Sequence, residues 1–149
     1  SLSGDDTREI EAAAIRLLTQ REHSRRELQL KLRSRGFAES GIESVIGQLS
    51  QSGLQSDDRY TDNYIASRTE RGSGPIRIRA ELRERGIDES VIERHLEAYA
   101  DLWPSLLQQV HDAKYGTEPA TDRKSLARQV RFLEYRGFPS ELIRDLLFD

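Results

Sequence analysis

The 149-residue chain contains no cysteine, so disulfides, thiolate metal sites and thiol nucleophiles are excluded together. Zinc fingers fall with them. No stretch approaches the ~20 consecutive apolar residues that a bilayer demands. The opening SLSGDDTREIEAAAIRLL lacks the basic lead and cleavage pattern of a signal peptide, so a cytoplasmic, non-membrane protein is expected. The three histidines, His23, His95 and His111, are scattered, and no HExxH, GxSxG or lysine-bearing phosphate loop accompanies them. No catalytic residue, metal or cofactor is therefore predicted, and the chain is not read as an enzyme. Lysine is also scarce. Only Lys31, Lys114 and Lys124 occur, and the other twenty of the 23 basic residues are arginine, whose planar fork suits carboxylate or phosphate.

What is present is regularity. The composition is polar, with 36% hydrophobic and 33% charged residues, yet leucine and isoleucine recur at fixed intervals, which excludes a disordered chain. Shifting the sequence by 50 sets Leu28, Leu32, Gly36, Phe37, Ile42, Ile46 and Leu49 over Ile78, Leu82, Gly86, Ile87, Ile92, Leu96 and Tyr99. A further shift of 51 brings Leu133, Gly137, Phe138, Ile143 and Leu147 into the places of Leu32, Gly36, Phe37, Ile42 and Ile46. An arginine-glycine-apolar step marks each copy at Arg35-Gly36-Phe37, Arg85-Gly86-Ile87 and Arg136-Gly137-Phe138.

Each copy has apolar positions at three- and four-residue spacing, the helical period. Ser24 with Glu27 forms a capping box, Pro75 suits a first helical position, and Asp57-Asp58, Asp88 and Ser140 suit helix starts. The repeated glycine fits a left-handed helix end, with the next apolar residue folding back on the last turn. Trp103 before Pro104 reads as packing at a helix entry. The glycine-rich 71–75 lacks the residues of a nucleotide loop and reads as a hinge with a proline start. An earlier helix precedes each hairpin, at about 7–21, 57–69 and 104–115. The expected fold is all-α: three tandem three-helix repeats, 5–55, 56–101 and 102–149, in an elongated, curved array whose small units lean on one another.

Net charge is -3, but its distribution is polar. Residues 23–35 hold five basic residues and one acid, and 37–62 hold five acids and one arginine; 68–85 and 88–101 repeat the contrast. The middle helix of each of these two repeats is thus basic and the third acidic. Arg77, Glu81 and Arg85 form a self-neutralising row, whereas Arg79 with Arg83, and Arg25-Gln29-Arg33 in the first repeat, have no acid at helical spacing within their own helix. In the third repeat the row becomes Leu126, Val130 and Glu134, which spoils the stripe. Two accounts of the rows stand side by side: an anionic partner neutralises them, or they are solvated or paired with acidic third helices of neighbouring units.

The ordered set Ser24-Arg25-Arg26-Glu27-Leu28, Lys31-Leu32, Gly36-Phe37, Asp57-Asp58-Arg59-Tyr60, Gly74, Arg77-Ile78, 81–87 and Arg136-Gly137-Phe138 resembles the bacterial RecX regulatory family over about residues 12–148. Ala113-Lys114-Tyr115-Gly116 stands where that family tends to end its first helix. The resemblance implies a non-enzymatic modulator of the RecA recombinase that binds RecA filaments on single-stranded DNA along their groove. It would restrain strand exchange and the linked ATPase and coprotease activities, with weak direct DNA binding, as a monomer. The residues assigned to that contact are Arg25, Arg26, Arg33, Arg77, Arg79, Arg83, Arg128 and Arg131. The competing readings are a stand-alone DNA-binding protein of helix-turn-helix-like repeats, opposed by the net negative charge and acidic third helices, and an inert helical scaffold.

Overall fold

The computed structural model describes residues 4–148, so the first three residues of the N-terminal stretch and the final Asp149 of the third expected repeat lie outside the described residues. Within them are nine α-helices: α1 (Gly4–Gln20), α2 (Arg25–Ser34), α3 (Glu39–Gln51), α4 (Asp57–Glu70), α5 (Pro75–Glu84), α6 (Glu89–Glu97), α7 (Trp103–Tyr115), α8 (Arg123–Tyr135) and α9 (Ser140–Leu147). A 3₁₀ turn at Ala100–Leu102 leads into α7. The all-α reading and the positions of the expected first helices hold.

Local chemistry accounts for most boundaries. The Ser24 hydroxyl accepts from the Glu27 amide and the Glu27 carboxylate accepts from the Ser24 amide, both at 3.1 Å, so the capping box starts α2 as read. Two other starts differ. Helix α4 is begun by Ser56, whose hydroxyl accepts from the Arg59 amide at 3.1 Å. Asp57 instead accepts from the Arg25 amide at 2.9 Å, so it serves the N-terminus of α2. Ser140 is the first residue of α9 rather than its cap, which is Pro139, and its hydroxyl donates to the Glu134 carboxylate at 3.3 Å.

The chain divides into two compact units, Ser1–Asn63 with Arg83–Val91, and Tyr64–Leu82 with Ile92–Asp149. In the first, α1, α2 and α3 bury Ile10, Ala14, Leu28, Leu32, Ile42 and Val45 completely, and Phe37 packs against this cluster from the corner. Each of the leucine, isoleucine and valine side chains contributes roughly 1.5–3 kcal/mol. In the second, Ile78 and Leu82 of α5 and Ile92 of α6 are fully buried, as are Leu107, Leu133, Phe138 and Ile143 of the last three helices to within 1%. Trp103 is buried at the start of α7, with the Tyr99 ring at 6.1 Å, as its place before proline suggested.

The three corner glycines share a left-handed backbone, at φ 89°, 80° and 99° for Gly36, Gly86 and Gly137. They are not equivalent in packing. In the first unit the Ser24 hydroxyl donates to the Arg85 carbonyl at 2.8 Å, and a Cβ on Gly86 would lie 2.7 Å from the Arg26 side chain. In the second, the amides of Gly74 and Ile76 donate to the carbonyls of Arg136 and Gly137 at 2.8 and 2.9 Å. A Cβ on Gly74 would meet the Gly137 carbonyl oxygen at 2.5 Å. The N-terminal amides of α5 are thus satisfied by the glycine corner of the following triplet, whereas at α2 the Ser24 hydroxyl donates to the corner and the amides go to Glu27, Asp57 and the Ser24 hydroxyl. Residues 72–74 are consequently buried against this corner, which overturns the hinge reading of 71–75: the glycines are there for close approach.

His23, 1% exposed, sits between α1 and α2 with Nδ1 2.9 Å from the Arg21 carbonyl and Nε2 2.9 Å from the Lys31 ammonium. An ammonium can only donate, so Nε2 accepts and the proton resides on Nδ1. Burial, with the positive charges of Arg21 and Lys31, lowers the His23 pKa below 6.5 against the opposing Arg21 carbonyl and Glu27. In the window between that lowered value and 6.5 the unfolded chain carries a proton the folded chain does not. Stability is therefore complete above pH 6.5 and declines as the pH falls through it. Denaturant midpoints measured against pH should show this decline, and His23→Gln should flatten it.

Candidate partner-binding surface

The candidate arginines separate by what their guanidinium groups already hold. Arg33 forms a two-point contact with Glu39, its Nε and Nη2 both 3.0 Å from the carboxylate oxygens. Arg83 repeats this with Glu89 at 2.8 and 2.7 Å. The glycine corner turns the chain so that the first acid of the third helix lies beside the last turn of the second. Arg33 holds the Glu39 carboxyl below its usual range with help from Gln29, and both guanidinium pKa values are raised by their carboxylates. Arg79 pairs with Glu93 of α6. Arg33, Arg79 and Arg83 of the rows along α2 and α5 are thus compensated in space, by the third helix of their own triplet rather than of a neighbouring one, while Arg25 meets only the Ser50 hydroxyl there.

Arg25, Arg26 and Arg77 make other contacts within the fold. Arg25 donates its amide to Asp57 and Nη1 to the Ser50 hydroxyl at 3.0 Å. The Arg26 side chain lies against Gly86. Arg77 backs the Gly137 corner, with its guanidinium 5.2 Å from the centre of the Tyr135 ring and 3.7 Å from Glu81. The partly exposed Arg77–Glu81 bridge stabilises weakly, and the exposed Arg25 and Arg26 have no ion pair to a carboxylate among the described residues.

Arg128 and Arg131 are different. They are exposed on α8, whose sequence RKSLARQVRFLEY carries Glu134 as its one acid. With Lys124 they recur at four- and three-residue spacing, so Lys124, Arg128 and Arg131 form one stripe on the helix. The aligned row at Leu126, Val130 and Glu134 is spoiled as read, and the third triplet carries its cations at other positions of the same helix. Arg128 makes a long contact of 3.4 Å to the Ser125 hydroxyl. No carboxylate forms an ion pair with Lys124 or Arg131 among the described residues. Helix α8 is held to α7 by a buried bond between His111 Nε2 and the Gln129 amide oxygen at 2.9 Å, so the stripe is displayed from a fixed helix. A shallow hollow of about 430 Å³ beside it is lined by Lys114, Tyr115, Arg128 and Phe132, with Tyr115 edge-on to Phe132 at 5.7 Å.

Among the described residues no group of histidine and carboxylate side chains is placed to hold a metal. No described helix is long and apolar enough to cross a membrane. Residues 12–49, 56–96 and 105–147 match the domains described as RecX first, second and third three-helix domain. The chain belongs to the RecX family. It is 41% identical over 138 residues to the regulatory protein RecX of Pseudomonas syringae pv. tomato, covering 93% of this chain and 89% of that protein. It is 38% identical over 144 residues to that of Halorhodospira halophila, covering 97% and 89%. The crystal structure of RecX from Lactobacillus salivarius superposes with a TM-score of 0.84 at 24% identity, covering 97% of this chain and 96% of that one. These RecX relatives are named as regulatory proteins. The three RecX domain matches fall on α1–α3, α4–α6 and α7–α9, the triplets that the 50- and 51-residue shifts marked.

Proposed function

We propose that this chain is a regulator, with no substrate of its own to transform, that binds the RecA filament on single-stranded DNA in the cytoplasm. There it restrains the filament's recombinase, ATPase and coprotease activities in DNA repair and recombination. The observation that carries the reading beyond family membership is the Lys124-Arg128-Arg131 stripe, a row of cations on one rigid helix in which Lys124 and Arg131 have no ion pair to a carboxylate among the described residues and Arg128 feels only the charge of Asp122. Such a row fits the acidic surface or exposed phosphates of a filament. Single contacts of this kind are weak, and attachment at several filament subunits multiplies them.

The alternative of a stand-alone helix-turn-helix protein finds less support. In such a protein the helix after the corner enters the groove and is basic, whereas α3, α6 and α9 each begin with or next to a glutamate, and α3 carries no basic residue at all. Titrating the protein into a RecA ATPase assay on single-stranded DNA tests the proposal. ATP hydrolysis should fall with a saturable dependence on protein, and binding to coated DNA should exceed binding to naked single- or double-stranded DNA at matched salt. An unchanged ATPase rate, or tighter sequence-specific binding to bare duplex, overturns it.

A further inference from the structure

We propose that the cleft formed by the turn after α4 with α7 and α8 binds an acidic peptide segment anchored by an aliphatic side chain. The cleft measures about 590 Å³. Its floor is the stripe Leu106, Val110 and Ala113, spaced four and three residues apart on α7. Gly72, at φ 82°, brings the turn down onto this floor, where a Cβ would meet the Val110 side chain at 2.9 Å. Three cations, Arg71, Lys114 and Arg136, stand around the floor against one acid, Glu70.

Two of these cations, Lys114 and Arg136, are held in place by groups that do not neutralise them. Arg136 Nη1 donates to the Arg71 carbonyl at 2.7 Å and the Gly72 carbonyl at 3.4 Å. Its guanidinium stands 5.3 Å, and the Lys114 ammonium 4.6 Å, from the centre of the Phe132 ring. No ion pair engages Arg71, Lys114 or Arg136 among the described residues. An apolar floor under a rim of fixed positive charge complements a chain that alternates carboxylates with leucine-like side chains, laid in as a helix or extended segment.

Nucleic acid fits this cleft less well. Phe132, the one aromatic ring in its lining, is already approached by two cations, with which a stacking base would have to compete. A phosphate polymer has the α8 stripe instead. The cleft proposal thus goes beyond filament binding and stands or falls separately from it.

The test is fluorescence anisotropy of the full chain with a fluorescein-labelled peptide of glutamate and aspartate carrying leucines at three- and four-residue spacing. A second peptide with serine for leucine and a thymidine oligonucleotide serve as comparison probes. Ala113 and Lys114 are exposed, so Ala113→Glu and Lys114→Glu leave the core intact, and Lys114→Gln supplies a milder variant. The leucine peptide should bind and the serine peptide should not. Ala113→Glu and Lys114→Glu should each weaken binding by about tenfold or more, Lys114→Gln by less, and Arg128→Glu by less than about threefold. The proposal is overturned if the leucine peptide does not bind, if both glutamate variants bind it like the parent, or if the oligonucleotide displaces it.

Discussion

Replacing Gly137 with alanine should destabilise the protein by about 2–4 kcal/mol, whereas Gly36→Ala should cost only about 1 kcal/mol. All three corner glycines carry positive φ, so a shared penalty for the left-handed backbone applies to each. The difference lies in what the new methyl group meets. At Gly36 nothing stands within 4 Å; at Gly137 a Cβ would sit 2.7 Å from the Arg77 backbone nitrogen. Because the same segment donates the Gly74 and Ile76 amides, relief would stretch their hydrogen bonds to the Arg136 and Gly137 carbonyls. Gly86 falls between, since its obstacle is the more yielding Arg26 side chain. Thermal melts should follow this order, with a midpoint drop of about 2–4 °C per kcal/mol in a chain of this size. Equal drops at Gly36 and Gly137 would show that the corners only cap helices and do not bracket successive triplets.

Reversing the α8 stripe, as Lys124→Glu, Arg128→Glu and Arg131→Glu together, should weaken binding to RecA-coated DNA by about a hundredfold and lower its salt dependence. Stability should hardly change, because these side chains are exposed and packing does not depend on them. Arg33→Glu and Arg83→Glu are the informative comparison. Their guanidinium groups are spent on Glu39 and Glu89, so each reversal should shift binding by less than about threefold. Titrations at two salt concentrations decide the matter: larger losses at Arg33 and Arg83 than at the stripe would return the contact to α2 and α5.

Much of this architecture is legible from local chemistry. The capping box at Ser24, the proline opening α5 and the glycine after each middle helix act within a few residues of chain, and so does the three- and four-residue spacing of Leu28, Leu32, Ile42 and Ile46. Apart from the one-residue shift at the start of α9, the misreadings involve partners distant in sequence. Asp57 looked like the cap of its own helix but is drawn to the Arg25 amide, and Ser56 takes its place. The 71–75 stretch looked like a hinge because nothing local signals the Arg136 and Gly137 carbonyls that dock it. His23 looked incidental until burial set it between Arg21 and Lys31. The Lys114 and Arg136 cations over Phe132 come from separate helices.

The sequence by itself determined three helical triplets and the corners between their second and third helices, since period, capping and the conformational freedom of glycine are properties of neighbouring residues. Tertiary structure alone decided which arginines are already paired with a carboxylate. Charges interact through space, and a carboxylate six residues away along the chain can be the nearest neighbour once a corner folds it back.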